Sequence, residues 1–376
     1  MRRDKKAVVA GHVCIDITPV FPAGQSGPGP ASELLIPGKL IQTDGVNIST
    51  GGAVANTGLA LKLMGVETSL MGKVGQDAFG GLVLNSLDQY QAGAGMIVSA
   101  ESDTSYSVVL AVPGIDRIFL HNPGANHTFS FADLDFSVIA ESSLFHFGYP
   151  TLMKQMYQNQ GAELIRILKR VKELGVAVSL DLAAVDPESE AGREQWDVIL
   201  AGVLPYVDFF VPSVEELCQM LDPQRYEHWR QKAGDRDLTE IVTPVEVEPL
   251  GRKAIALGAG VVLIKCGAAG MYYRTAGAGR MAGLCAGLNL APDSWTDQHG
   301  FEPSYVPEAV ISGTGAGDTC IAAFLASVLR EDSLEQALRL ATAQGACCVA
   351  AYDALSGLKT LEELEARIRN GWEKQI

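Results

Sequence analysis

Residues 311–325, ISGTGAGDTCIAAFL, decide how this chain is read. Gly313-Thr314-Gly315-Ala316-Gly317 form a turn of small residues that runs directly into Asp318. Apolar residues then recur at Ile321, Phe324, Leu325, Val328 and Leu329, the i, i+3, i+4, i+7 spacing of a helix face. Small residues let the backbone turn tightly, so that successive N–H groups point at one spot. The helix behind them adds the positive end of its dipole, and together they make an anion site. Asp318 stands at its mouth, where a simple phosphate binder would avoid negative charge. A carboxylate there suits chemistry that removes a proton from a hydroxyl while charge on a phosphoryl group is stabilised. The competing reading is a glycine turn whose Asp favours a helix N-terminus. The stretch alone does not separate the two.

Working outward, 376 residues with 47% hydrophobic content allow a large core, either one big α/β domain or one with an appendage. The net charge of −15 argues against nucleic acid or an anionic membrane as the main partner, since both reward a basic surface. The seven cysteines are scattered, without a C-x-x-C pair or Cys/His cluster, which speaks against zinc and for buried thiols in a reducing cytoplasm. The N-terminal stretch reads as a first strand rather than a signal peptide. No run is long and apolar enough to span a bilayer.

Residues 7–10 read as a short buried strand ending at Gly11, with Asp16 soon after. Residues 19–38 read as a loop, and 39–49 as polar but β-compatible. Gly51-Gly52 precede a helix over 53–64 that is closed by Gly65. A strand at 68–71 and a turn at 72–77 follow, with Asp77 placed to cap the next helix. Residues 104–112 and 117–121 flank Pro113-Gly114-Ile115-Asp116, a hairpin signal assigned with 39–49 to a small β appendage. From Leu144 strands alternate with helices, at 144–148, 176–180, 207–211 and 261–265, which predicts a parallel sheet with helices on both faces. Ligands of such sheets sit beyond the carboxyl ends of the strands, so Asp16, Asp181, Ser213 and residues 265–267 are expected on one rim. Residues 275–304 have weak periodicity and read as a partly mobile insertion.

Four features now stand together: Asp16, the Gly51-Gly52…Asn56 turn, residues 74–80 (VGQDAFG) and residues 315–318 (GAGD). In this order and spacing the chain resembles the PfkB or ribokinase-like family of sugar and nucleoside kinases. GGAVANTGLALKLMG (51–65) with VGQDAFG is similar to the family's N-terminal signature, and SGTGAGDTCIAAFL (312–325) to its C-terminal one. The resemblance covers nearly the whole chain except 275–304. It implies one ribokinase-like domain over 1–376, a doubly wound, mostly parallel α/β sheet with helices on both faces, and a small β-sheet lid within about 17–50 and 104–125. It also implies ATP-dependent phosphorylation of a hydroxyl. Asp318 then matches the general base, with the backbone of Gly315, Ala316 and Gly317 as anion hole. Asp16, Gly51, Gly52, Asn56 and the lid residue Arg117 match substrate-binding positions. A carboxylate such as Asp16 suits a diol because it accepts two hydrogen bonds.

On the nucleotide side, Lys265, Gly267 and Gly270 match the segment lining the ATP phosphates. Glu216 matches the Glu of an N-x-x-E motif that positions Mg²⁺ through water. Ser213 stands where that motif has Asn, and Ser312-Gly313 where relatives begin with Asp-Thr. The missing Asp commonly builds a monovalent-cation site, so potassium activation stays open. Ala53 replaces a Lys frequent in ribokinases, and Thr342 falls where some relatives have an adenine-facing Asn. The expected protein is thus a cytoplasmic Mg²⁺·ATP-dependent sugar kinase, homodimeric through its lid. The rival readings are a nucleoside kinase of the same fold and a non-catalytic sugar- or nucleotide-binding regulator.

Overall fold

Ala7, Val8, Val9 and Ala10 are apolar without alternation, and the structure shows why. Ala7 and Val9 enter one hydrophobic core, Val8 and Ala10 a second one across the pleat. A strand buried on both faces reads as a near-continuous apolar run. The computed structural model describes residues 5–22, 36–110, 118–234 and 236–375. In chain order its strands are β1 (Lys6–Gly11), β2 (Cys14–Val20), β3 (Gly45–Gly51), β4 (Glu67–Met71), β5 (Lys73–Gly75), β6 (Ile97–Ser99), β7 (Tyr106–Leu110), β8 (Ile118–Asn122), β9 (Leu144–Gly148), β10 (Ala177–Asp181), β11 (Phe209–Phe210), β12 (Val261–Lys265), β13 (Gly270–Thr275) and β14 (His299–Pro303).

Eight strands form the main sheet in the order β14-β13-β12-β11-β10-β9-β1-β4. From β12 to β4 every pairing is parallel, while β12–β13 and β13–β14 are antiparallel. The doubly wound α/β expectation holds, with helices covering both cores. The C-terminal ends of β9, β10 and β12 bring Gly148, Asp181 and Lys265 to one rim, and Ser213 follows β11 there.

Residues 275–304 depart from expectation. They form helices Ala278–Leu288 and Pro292–Trp295 and then β14, which pairs with β13 as the edge of the main sheet. Trp295 is fully buried and packs edge-on against Phe209 and Phe324. The helical signal was present in Met281, Leu284, Cys285 and Leu288, all buried. Gly279, Gly283 and Gly287 obscured it; they lie on the solvent face, where a Cβ would meet nothing.

A separate four-stranded sheet, ordered β3-β2-β7-β8, forms the expected smaller unit. Directly paired residues share a face. Asp16, Ser49, Ser107 and His121 therefore line one side, and Ile17, Ile48, Val108 and Leu120 the other. On that second side Val46, Ile48 and Leu120 are each more than half exposed. Residues 39–44 lie outside the strand, which begins at Gly45. Most of the 19–38 loop, the hairpin turn at 113–116 and Arg117 lie outside the described residues.

Two side chains tie this sheet to the main one. Asp77 caps the helix Ala78–Asp88 through the Gly80 N–H at 2.8 Å and also accepts the Thr104 N–H at 2.7 Å, just before β7. Asn126, fully buried, donates to the Val13 carbonyl at 2.9 Å and accepts the Val13 N–H at 3.2 Å. Val13 lies in the two-residue link between β1 and β2, so Asn126 fixes the chain where it leaves one sheet for the other.

Candidate active site

The helix Ala316–Leu329 begins at Gly315, whose φ of 74° lies in the left-handed region and whose Cβ, if it had one, would run into Ala354. The sequence marks one apolar stripe on this helix, yet every residue from Asp318 to Leu329 is buried. Ala322, Ala323, Ala326 and Ser327 fill the positions between the large residues, so the helices Ala53–Leu63 and Leu334–Cys348 approach closely. The Ala316 N–H donates to the Gly313 carbonyl at 3.3 Å and closes the turn. Of the N–H groups expected to form the anion hole, that of Ala316 is thus engaged within the turn, while Gly317 and Asp318 carry first-turn N–H groups that lack an acceptor four residues back.

Asp318 is 3% exposed and receives three hydrogen bonds. Asn56 Nδ2 donates to Oδ2 at 3.0 Å, Thr57 Oγ1 to Oδ1 at 3.2 Å, and the Tyr149 hydroxyl to Oδ1 at 2.8 Å. Asn56, expected at the substrate, thus has its amide on Asp318. Tyr149 follows β9 with a φ of 63°, a conformation a bulky residue seldom adopts. Burial, then the Asp318 charge, holds its phenol well above the ordinary tyrosine range, so it remains a donor.

Asp16 does not sit on the main-sheet rim. It lies within β2, because the chain crosses to the smaller sheet at His12–Val13 before reaching it. Its Oδ1 accepts the Cys14 thiol at 3.4 Å. Burial pushes the Asp16 carboxyl up to about 6; hydrogen bonds from Cys14 and Ser107 offset part of this, and the nearby Asp318 charge adds to it. Gly51 and Gly52 have a steric reason: a Cβ on Gly51 would run into the Asp16 carboxylate, and one on Gly52, at φ 85°, would sit 2.7 Å from His12 Nδ1.

On the opposite side, Lys265 Nζ pairs with Asp181 Oδ1 at 2.8 Å, and Asp181 is 1% exposed. A Cβ on Gly317 would lie 3.5 Å from that ammonium, so Lys265 stands beside the first turn of the helix rather than in solvent. Burial works against the lysine charge, but Asp181, Glu216 and Asp318 outweigh it and raise its pKa. Burial also raises Asp181, with Lys265 pulling the other way. The two partners compete for one proton; it rests on Lys265, which Asp181 holds directly and which the charges of Glu216 and Asp318 also favour. Ser213 and Glu216 form a capping box at the start of the helix Val214–Leu221: Glu216 Oε2 accepts the Ser213 N–H at 2.7 Å and Ser213 Oγ the Glu216 N–H at 3.2 Å. Gly267 and Gly270 carry the β12–β13 turn, both at positive φ. Thr342 is not drawn into this group; its hydroxyl donates back to the Leu338 carbonyl at 3.2 Å.

Among the described residues no group of three or more His, Cys, Asp and Glu side chains could hold a metal ion by itself. Glu216 beside Asp181 and Asp318 suits an ion that arrives on phosphates and keeps its waters, as Mg²⁺ does. Reading the sequence missed Thr57, Tyr149 and His12 at the site. Thr57 is next to Asn56 on its helix, and Tyr149 directly follows an apolar strand at the rim; position after a strand was the available signal.

A family model described as pfkB family carbohydrate kinase matches residues 5–361. An uncharacterized sugar kinase of Archaeoglobus fulgidus is 23% identical over 288 residues, covering 77% of this chain and 93% of the relative. Fructokinase-2 of Zea mays is 24% identical over 304 residues, covering 77% and 76%. Among solved structures, Arabidopsis thaliana ribokinase complexed with ribose and ATP matches 96% of this chain and 98% of its own, with a TM-score of 0.70 at 20% identity, a likeness of fold.

Proposed function

Because the chain belongs to the PfkB family of carbohydrate kinases and is a sugar kinase, we propose that it transfers the γ-phosphoryl group of ATP to a hydroxyl of a small sugar, with Asp318 as general base. The observation that carries this reading is the set of donors on Asp318. Oδ1 has two, Thr57 and Tyr149, whereas Oδ2 has one, Asn56. Oδ2 therefore keeps a lone pair for the acceptor proton. The sugar oxygen attacks the γ-phosphorus, the bond to the β–γ bridging oxygen breaks, ADP leaves and the proton passes to Asp318. The N–H groups of Gly317 and Asp318, with the helix dipole, face the charge on the transferring oxygens. Lys265 adds a positive charge beside them, and the turn at Gly267 and Gly270 lines the nucleotide phosphates. When bound, Mg²⁺ neutralises phosphate charge, and Glu216 would hold it through water.

Asp16, raised by its burial, awaits donors that sugar hydroxyls supply. The smaller sheet closes over the acceptor and excludes water, which would otherwise take the phosphoryl group. Its exposed outer residues Val46, Ile48 and Leu120 fit a homodimer through the lid. Seven free, buried cysteines fit a reducing cytoplasm. The test is ADP release by the wild-type protein against a panel of sugars and nucleosides with Mg²⁺·ATP. Release with at least one sugar is expected; release with nucleosides alone, or with no acceptor, overturns the reading.

A further inference from the structure

His12 and His121 carry an inference that rests on the sugar-kinase reading and deepens it. His12 is 2% exposed, and neither ring nitrogen has a hydrogen-bond partner. His121 is held by Ser107 Oγ at Nδ1, 2.9 Å away, which leaves its buried Nε2 also without a partner. The two rings lie 5.3 Å apart. A buried polar nitrogen without a partner forfeits the hydrogen bonds it had in water. Two imidazoles with three such nitrogens side by side are therefore costly, unless something that binds there satisfies them.

Their surroundings say what that is. His12 Nδ1 overhangs Gly52 just as the Asp16 carboxylate overhangs Gly51, so both groups converge on one glycine pair. Asp16, Ser107 and His121 stand in one row across the inner face of the smaller sheet, by the pairing of β2 with β7 and of β7 with β8. His12 continues the row toward Tyr149, whose ring centroid is 6.0 Å from its own, and Tyr149 reaches Asp318. A ligand with one hydroxyl at Asp318 would lay its other hydroxyls along this row. Burial and neighbouring imidazoles push both histidines below the usual range. Each is then neutral, with one donor and one acceptor nitrogen, matching a hydroxyl that does both. Among the described residues of this row there is no lysine or arginine, and the row runs between two carboxylates, Asp16 and Asp318. An acceptor that already carries a phosphate or carboxylate is disfavoured.

We propose that His12 and His121 read the non-reacting hydroxyls of the acceptor, and so select an uncharged polyhydroxylated sugar. The experiment takes a sugar that supports ADP release and its set of monodeoxy analogues, and compares kcat/KM for wild type, His121→Phe, His121→Gln and His12→Leu. Removing a hydroxyl that a histidine reads costs the wild type about 10-fold or more in kcat/KM. His121→Phe should lose that discrimination for one hydroxyl while the KM for ATP holds, and His121→Gln, whose amide reaches near the Nε2 position, should recover part of it. His12→Leu should lose discrimination at a different hydroxyl; if it does not fold, the His121 pair decides. Discrimination unchanged at every hydroxyl in the folded variants overturns the inference and leaves the kinase reading intact. A wild type that releases no ADP with any sugar overturns the kinase reading first.

Discussion

Asp318 and Asp16 are both carboxylates withdrawn from water, but their surroundings are opposite. Asp318 belongs to a helix buried on every side and accepts three hydrogen bonds from groups fixed in the main domain. Asp16 lies on a strand of the smaller sheet, with the Cys14 thiol donating to it at 3.4 Å, and burial, only partly offset by Cys14 and Ser107, raises it to about 6. A carboxylate that must take a proton in a set direction gains from being held by its neighbours before substrate arrives. One that must recognise hydroxyls gains from being left short of donors. In the proposed reaction the first is pre-organised, and the second would be completed by its ligand.

Asp318→Asn should break the comparison most severely. Turnover is expected to fall by about 10³-fold or more while ATP still binds, as read by ADP release and calorimetric titration; near-normal turnover removes Asp318 from the chemistry. Asp16→Asn should raise the sugar KM by about 10- to 100-fold with a smaller change in kcat. The same residue gives a pH signature. Folding raises its pKa from 3.8 to about 6, so the ionised form is disfavoured in the ligand-free fold. Its destabilising contribution is present at neutral pH and fades as pH falls through 6 toward 3.8. Hydroxyl binding needs the ionised form, so kcat/KM for sugar should drop as pH falls through about 6, and Asp16→Asn should lack that limb. Tyr149→Phe removes one of the two donors on Oδ1 and should lower kcat by about 10-fold with little effect on sugar KM; an effect on KM alone would move Tyr149 from the base to the acceptor. Asn126→Ala should act on neither carboxylate directly. It strips both bonds from Val13 and is expected to cost about 1–3 kcal/mol in urea unfolding.

The same contrast marks what could be read from the sequence. Local signals survived. The glycine turn before Asp318, the Gly51-Gly52 pair, the Asp77 cap and the apolar strands at β1, β4, β9, β10 and β12 lie where their spacing put them. Asp318's partners did not show, because Asn56 is 262 residues away in the chain and Tyr149 is 169. No periodicity encodes a contact at such range. Asp16 was expected on the main-sheet rim and lies instead within the smaller sheet for a related reason: two residues, His12 and Val13, separate β1 from β2, too few to announce a change of sheet. Nor does any local pattern announce that the His12 and His121 rings lie 5.3 Å apart.

That separation along the chain also has a consequence for synthesis. Residues 16, 51, 52, 56, 57 and 149 emerge early and can shape the acceptor side as the sheet forms, whereas the carboxylate they surround is made only when residue 318 is. The helix bearing it then has to dock between Ala53–Leu63 and Leu334–Cys348, so it cannot settle until more chain has followed. A growing polypeptide therefore holds ready-made donors with no acid to receive them. The Asp318 carboxylate can meet Asn56, Thr57 and Tyr149 only once that helix has docked.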